Sequence, residues 1–109
     1  MRKLRPRKRA LKLAAKVKDQ ISETLGRPVK VIMYGSQARG DATKESDIDL
    51  LVILPSINTS TRKTVSDIAW EVGFEAGKVI STIPTTENKI KRYSFLPFYK
   101  NVKREGIAA

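Results

Sequence analysis

Two carboxylates one residue apart, Asp47 and Asp49, open the apolar run DIDLLVIL. Alternate side chains of a strand share a face, so these two would project together, with Ile48 and Leu50 facing the other way. Carboxylates that close repel, and one takes up a proton unless a cation lies between them. Mg²⁺ is commonly held by one or two carboxylates plus the phosphates of a substrate. Two such ions can clamp the attacking and leaving oxygens of a phosphoryl transfer. The chain has no histidine and no cysteine. Any metal must then be bound by oxygen, which favours Mg²⁺, Mn²⁺ or Ca²⁺ over Zn²⁺ and excludes a thiolate site.

Gly35 and Ser36, ten residues before Asp47, supply the complementary half. Glycine lets a phosphate approach the backbone. A helical turn after Ser36 would present free N–H groups, and the Ser36 hydroxyl adds a hydrogen bond. Arg39 on that turn, and Lys44 and Ser46 from the following loop, complete the candidate phosphate-binding set. Each piece alone has a bland reading: Gly-Ser as a turn, Asp-x-Asp as a solvated strand edge, Ser46 as a loop cap. The combination, strand then Gly-Ser then ten residues then Ser-Asp-Ile-Asp at the head of an apolar strand, is far more specific.

The elements that must position these residues follow from periodicity. Ala10, Ala14, Val17, Ile21 and Leu25 repeat at helical spacing, predicting a helix over 7–25 stopped by Gly26. VKVIMYG reads as a strand and DIDLLVIL as a second, stopped by Pro55. Val65, Ile68, Ala69, Val72 and Ala76 mark a second helix ending at Gly77. KVISTI is a third strand before Pro84, TTENKIKRY is ambiguous, and FLPFYKNVKREG is a terminal helix capped at Gly106. The order α-β-β-α-β-α predicts one α/β (α+β) domain over residues 1–109, a small mixed sheet covered by helices. Tyr93, Phe95, Leu96, Phe98 and Tyr99 are expected to pack on the sheet as core; the other reading is an exposed adhesive patch. Trp70 falls between the main apolar positions of its helix, at the core edge or an interface.

The formal charge is +11, and six basic residues lie in the first nine, Arg2, Lys3, Arg5, Arg7, Lys8 and Arg9, leaving only +5 for the rest. Such an arm can hold RNA through phosphate contacts. Its bland reading is a solvated, disordered terminus. No aromatic residue is interleaved with it, so base stacking has no support there. No apolar run is long enough to span a membrane, and no secretory core follows the basic start. The expected location is the cytoplasm.

GSQARG followed by SDIDLLV resembles the signature of the DNA polymerase beta-like nucleotidyltransferase superfamily, in its minimal nucleotidyltransferase (MNT) branch. The resemblance implies transfer of a nucleoside monophosphate from an NTP, expected to be ATP, to a protein or RNA hydroxyl. It implies phosphates on Gly35 and Ser36, and Mg²⁺ (or Mn²⁺) on Asp47 and Asp49 as catalytic and metal-binding residues. The family often carries a third carboxylate on the strand after the central helix. In register that position is Ser81, with Glu75 and Glu87 poorly placed to replace it. Minimal members commonly pair with a small helical HEPN protein as the antitoxin of a toxin–antitoxin pair, which implies such a partner here. The departure at Ser81 leaves a second expectation: a weak or inactive nucleotide-binding antitoxin that acts by binding a HEPN-like protein. A basic RNA-binding module is the third, and it leaves Gly-Ser and Asp-x-Asp unexplained.

Overall fold

A computed structural model describes residues 4–109. The elements are α1 (Lys8–Leu25), β1 (Lys30–Tyr34), α2 (Ser36–Arg39), β2 (Ile48–Ile53), α3 (Thr59–Ala76), β3 (Ile80–Thr85), α4 (Glu87–Arg92), α5 (Pro97–Glu105) and β4 (Ile107–Ala108). The strands form one mixed sheet in the order β3-β2-β1-β4, with β1 antiparallel to β2 and β4, and β2 parallel to β3.

The helical spacing of Ala10, Ala14, Val17 and Ile21 gives α1 one buried face. Val65, Ala69 and Val72 do the same for α3. Both faces meet Val31, Met33, Ile48, Leu50, Val52 and Ile80 from one side of the sheet, and this is the main core. The alternate residues Ile32 and Leu51 face the opposite side, where Ile90 of α4 and Tyr99 and Val102 of α5 lie against them. Asp49 shares this second side, because it alternates with Leu50.

Helix ends are closed by local chemistry. Gly26 takes a left-handed conformation and returns its N–H to Glu23 and Ser22 carbonyls. Asn58 and Thr61 form a reciprocal capping box at the start of α3.

Several expectations are corrected. The ambiguous TTENKIKRY contains α4, capped by the Thr86 hydroxyl accepting from Lys89 N–H. β3 runs through Pro84 to Thr85 because it is an edge strand, where proline's missing N–H breaks no ladder bond. β4 is an addition: two residues, too short to carry a pattern, pair with Ile32 and Met33. The aromatic segment is not core at Tyr93, Phe95 and Leu96, which are exposed, while Phe98 and Tyr99 are partly covered. Of the basic arm, Arg2 and Lys3 lie outside the described residues. Arg5 to Arg7 is docked: the Arg7 N–H donates to Gln37 O at 2.9 Å, and the Arg5 backbone crosses Gly40.

No helix among the described residues is long and apolar enough to cross a membrane.

Candidate active site

Strand register assembles the centre of the site. Tyr34, Asp49 and Ser81 are direct partners across β1, β2 and β3, so they form one row on one side of the sheet. Asp47 precedes β2 and is exposed, whereas Asp49 is half-buried. Gln37, buried on α2, donates from Nε2 to Ser46 O at 3.2 Å and so ties the turn to the loop that delivers Asp47. The Ser46 hydroxyl accepts from Thr43 N–H at 2.9 Å and pairs with the Thr43 hydroxyl at 3.3 Å, which closes that loop.

Gly35 is required by two separate facts. Its φ of 76° with ψ of −158° is open to glycine almost alone. A Cβ there would stand 2.6 Å from Asp49 Oδ2. The absent side chain is what lets the Gly-Ser turn and the Asp49 carboxylate share one small volume.

Burial, then the Asp47 charge, raises the Asp49 carboxyl above its ordinary value, and Arg39 opposes this. Burial, then the Asp49 charge, likewise raises the Tyr34 phenol. Tyr34 makes an edge-on contact with Phe98 at 5.3 Å, which walls the site from the α5 side. A divalent cation beside Asp47 and Asp49 would relieve the repulsion the two impose on each other. The donor set fits Mg²⁺ or Mn²⁺: carboxylate oxygens with, among the described residues, no cluster of three or more His, Cys, Asp or Glu side chains. Substrate phosphate and water would complete such a shell.

Arg39 reaches the turn, and it is already engaged. One Nη of its guanidinium donates to Glu105 at 3.2 and 3.3 Å, and Nε donates to Asp41 at 3.4 Å. These bonds, Glu105 first, hold the guanidinium further above its ordinary value. Glu105 also accepts from the Gly35 N–H at 3.2 Å. A carboxylate from the end of α5 therefore occupies the donors expected to receive phosphate. Sequence reasoning missed Glu105, since REG read only as a helix end and cap. It also missed Gln37, whose role depends on a contact to the loop and not on any pattern. Lys44 lies elsewhere, lining a basic pocket with Arg7, Arg9 and Lys78.

Beyond Ser81 a cleft of about 490 Å³ runs along β3 and α3, lined in part by Trp70, Phe74, Val79 and Ser81. Trp70 and Phe74 stack with ring centroids 5.0 Å apart and are 66% and 71% exposed. Trp70 is thus a surface residue and not core edge.

The chain belongs to the nucleotidyltransferase-domain family, whose model matches residues 14–108. This supports the polymerase beta-like superfamily and a nucleotidyltransferase role at the level of the family. A Methanocaldococcus jannaschii protein named "putative protein adenylyltransferase" is 35% identical over 85 residues, 78% of this chain and 81% of that one. A second protein of that name from the same organism is 41% identical over 58 residues, half of this chain and 40% of that one. A crystal structure from Sulfolobus solfataricus, described as a "putative nucleotidyltransferase", has the same fold with a TM-score of 0.61. It is 23% identical, over 92% of this chain and 78% of that one.

Proposed function

We propose that this protein transfers AMP from ATP to a hydroxyl of another protein, using Mg²⁺ (or Mn²⁺) held by Asp47 and Asp49. One observation carries the reading. The Gly35 turn closes on Asp49 so tightly that no side chain fits between them, which joins a phosphate-accepting backbone to a metal-accepting carboxylate. The names of the two adenylyltransferase relatives support AMP and a protein acceptor.

In this mechanism the acceptor oxygen bonds to the α-phosphorus, the α–β anhydride breaks, and pyrophosphate leaves. The metal, when bound, neutralises phosphate charge. Gly35 and Ser36 seat the phosphates, and Arg39 supplies a positive charge once Glu105 yields it. Gln37 fixes the loop that presents Asp47. Ser81 brings a hydroxyl and no carboxylate to the row, so β3 supplies neither a strong base nor a charged ligand. Turnover is therefore expected to be slow unless the acceptor brings its own base.

The experiment is label transfer from α-labelled ATP with Mg²⁺, by this protein together with whatever co-purifies from native cells. The Asp47→Asn/Asp49→Asn variant is run beside it. Label on a protein, absent with the variant, supports the reading; label unaffected by the variant rejects the metal assignment.

Ser81 beside Asp49 favours a second reading, an antitoxin-like regulatory subunit that binds nucleotide without transferring it. Its partner would be a small helical HEPN-type protein, as in the MNT branch. The exposed Trp70–Phe74 stack, with Phe95 also exposed, offers it an apolar surface. A complex that survives loss of both Asp residues, with no label moved, would favour this reading over transfer.

A further inference from the structure

Four cationic side chains from three separate segments converge on one pocket of about 240 Å³. They are Arg7 and Arg9 from the start of the chain, Lys44 from the α2–β2 loop, and Lys78 from before β3. The residues lining this pocket include no carboxylate. Among the described residues none of the four cations is in an ion pair. The first turn of α1, which carries Arg9, has no acidic residue either. Bringing like charges together costs free energy unless an anion joins them.

The arrangement is also built, because the cations are held in place. Arg7 donates to Ala42 O at 3.1 Å, Arg9 to Ala76 O at 2.8 Å and Lys78 to Lys44 O at 3.1 Å. Each keeps further N–H groups beyond the bond it makes. The arm is fixed by backbone as well. Arg7 N–H donates to Gln37 O. Gly40, at φ 92°, leaves room for the Arg5 backbone, which a Cβ would approach to 2.2 Å. A tail serving only solubility needs no such anchorage.

We infer that this pocket binds a phosphate of a nucleic-acid backbone, giving the protein a sequence-independent RNA-binding function separate from the nucleotide site. A backbone fits better than a lone anion because basic residues continue outside the pocket, with Arg5, Lys8 and Lys12 all exposed. The lining contains no aromatic residue, so bases are not read there.

The test uses the full chain and a labelled single-stranded RNA of about 20 nucleotides, long enough to span several contacts. Anisotropy is followed across salt concentration. The wild type should bind with steep salt dependence. Lys44→Gln/Lys78→Gln should weaken binding and flatten the log–log salt slope by about 1.4, at about 0.7 per phosphate contact removed. Lys44→Gln alone, which leaves the three backbone tethers intact, should flatten it by about 0.7. The matched surface variant Arg27→Gln/Arg62→Gln should leave the slope as it is. Equal losses in the pocket and surface variants would mean diffuse charge and overturn the proposal, as would absent or salt-insensitive binding. Displacement of the RNA by millimolar inorganic phosphate or ATP at constant ionic strength would overturn it in favour of a single-anion pocket.

Discussion

Ser81 is the direct neighbour of Asp49 in the parallel β2–β3 ladder, and both side chains lie on the same side of the sheet. A hydroxyl thus stands where a third carboxylate could join Asp47 and Asp49. Ser81→Asp should tighten Mg²⁺ binding and raise nucleotide transfer by roughly tenfold or more, the order seen when a partner of a metal site is gained or lost. Isothermal titration with Mg²⁺ and single-turnover label transfer check this. An unchanged rate in a variant that binds metal more tightly would show that the ligand shell does not limit turnover.

Asp49 gives a pH dependence with a definite sign. Its carboxyl is raised in the folded protein by burial and then by Asp47. Between the unfolded and folded values the folded state holds more protons, so stability falls as pH rises through that window. The loss is complete above the folded value. Asp49→Asn should therefore raise the melting temperature of the metal-free protein at neutral pH, and the two proteins should converge in acid. Mg²⁺ should stabilise the wild type and leave the variant unmoved. A variant less stable than the wild type at neutral pH would mean that Asp49 serves the fold and not a cation.

Glu105 holds both the Gly35 N–H and the Arg39 guanidinium. A triphosphate must take those donors from it. Glu105→Gln keeps an acceptor and removes the charge, so ATP affinity should rise several-fold, since a charge-assisted bond becomes a neutral one. Competition with a fluorescent ATP analogue reads this directly. Weaker binding in the Gln variant would make Glu105 an organiser of the turn and not a competitor.

Gly35→Ala forces a Cβ against Asp49 at a positive φ. It should destabilise the fold by about 1–3 kcal/mol and abolish ATP binding. Gly40→Ala should instead displace the Arg5 segment and spare Gly35. Chemical denaturation paired with ATP titration separates the two: stability loss in both, loss of ATP binding only at Gly35.

The long elements were legible because their apolar spacing is strong. Ala10 to Ile21 and Val65 to Val72 predict α1 and α3, and Pro28, Gly35 and Pro55 punctuate β1 and β2. Register then follows from those strands, so Ser81 could be placed opposite Asp49 before any coordinates. What stayed hidden depends on contacts between distant segments. β4 is two residues, its existence set by pairing with β1. Glu105 reaches Gly35 across 70 positions of sequence. Trp70 and Phe74 sit four apart, as core residues would, yet point to solvent, since Val65, Ala69 and Val72 already fill the buried face. Lys44 was assigned to the triphosphate by its place in the loop, but the loop turns it toward the basic pocket.

The central claim is that the Gly35 turn and the Asp47–Asp49 pair form one metal-dependent nucleotide site. Calorimetric titration of ATP, with Mg²⁺ and with chelator, into the wild type and into Asp47→Asn/Asp49→Asn tests it most directly. Mg²⁺ should tighten ATP binding at least tenfold in the wild type and have no effect in the folded variant, since the site relies on the ion to join carboxylate and phosphate. Equal ATP affinity with and without Mg²⁺ in the wild type, or an unchanged Mg²⁺ effect in the variant, would contradict it.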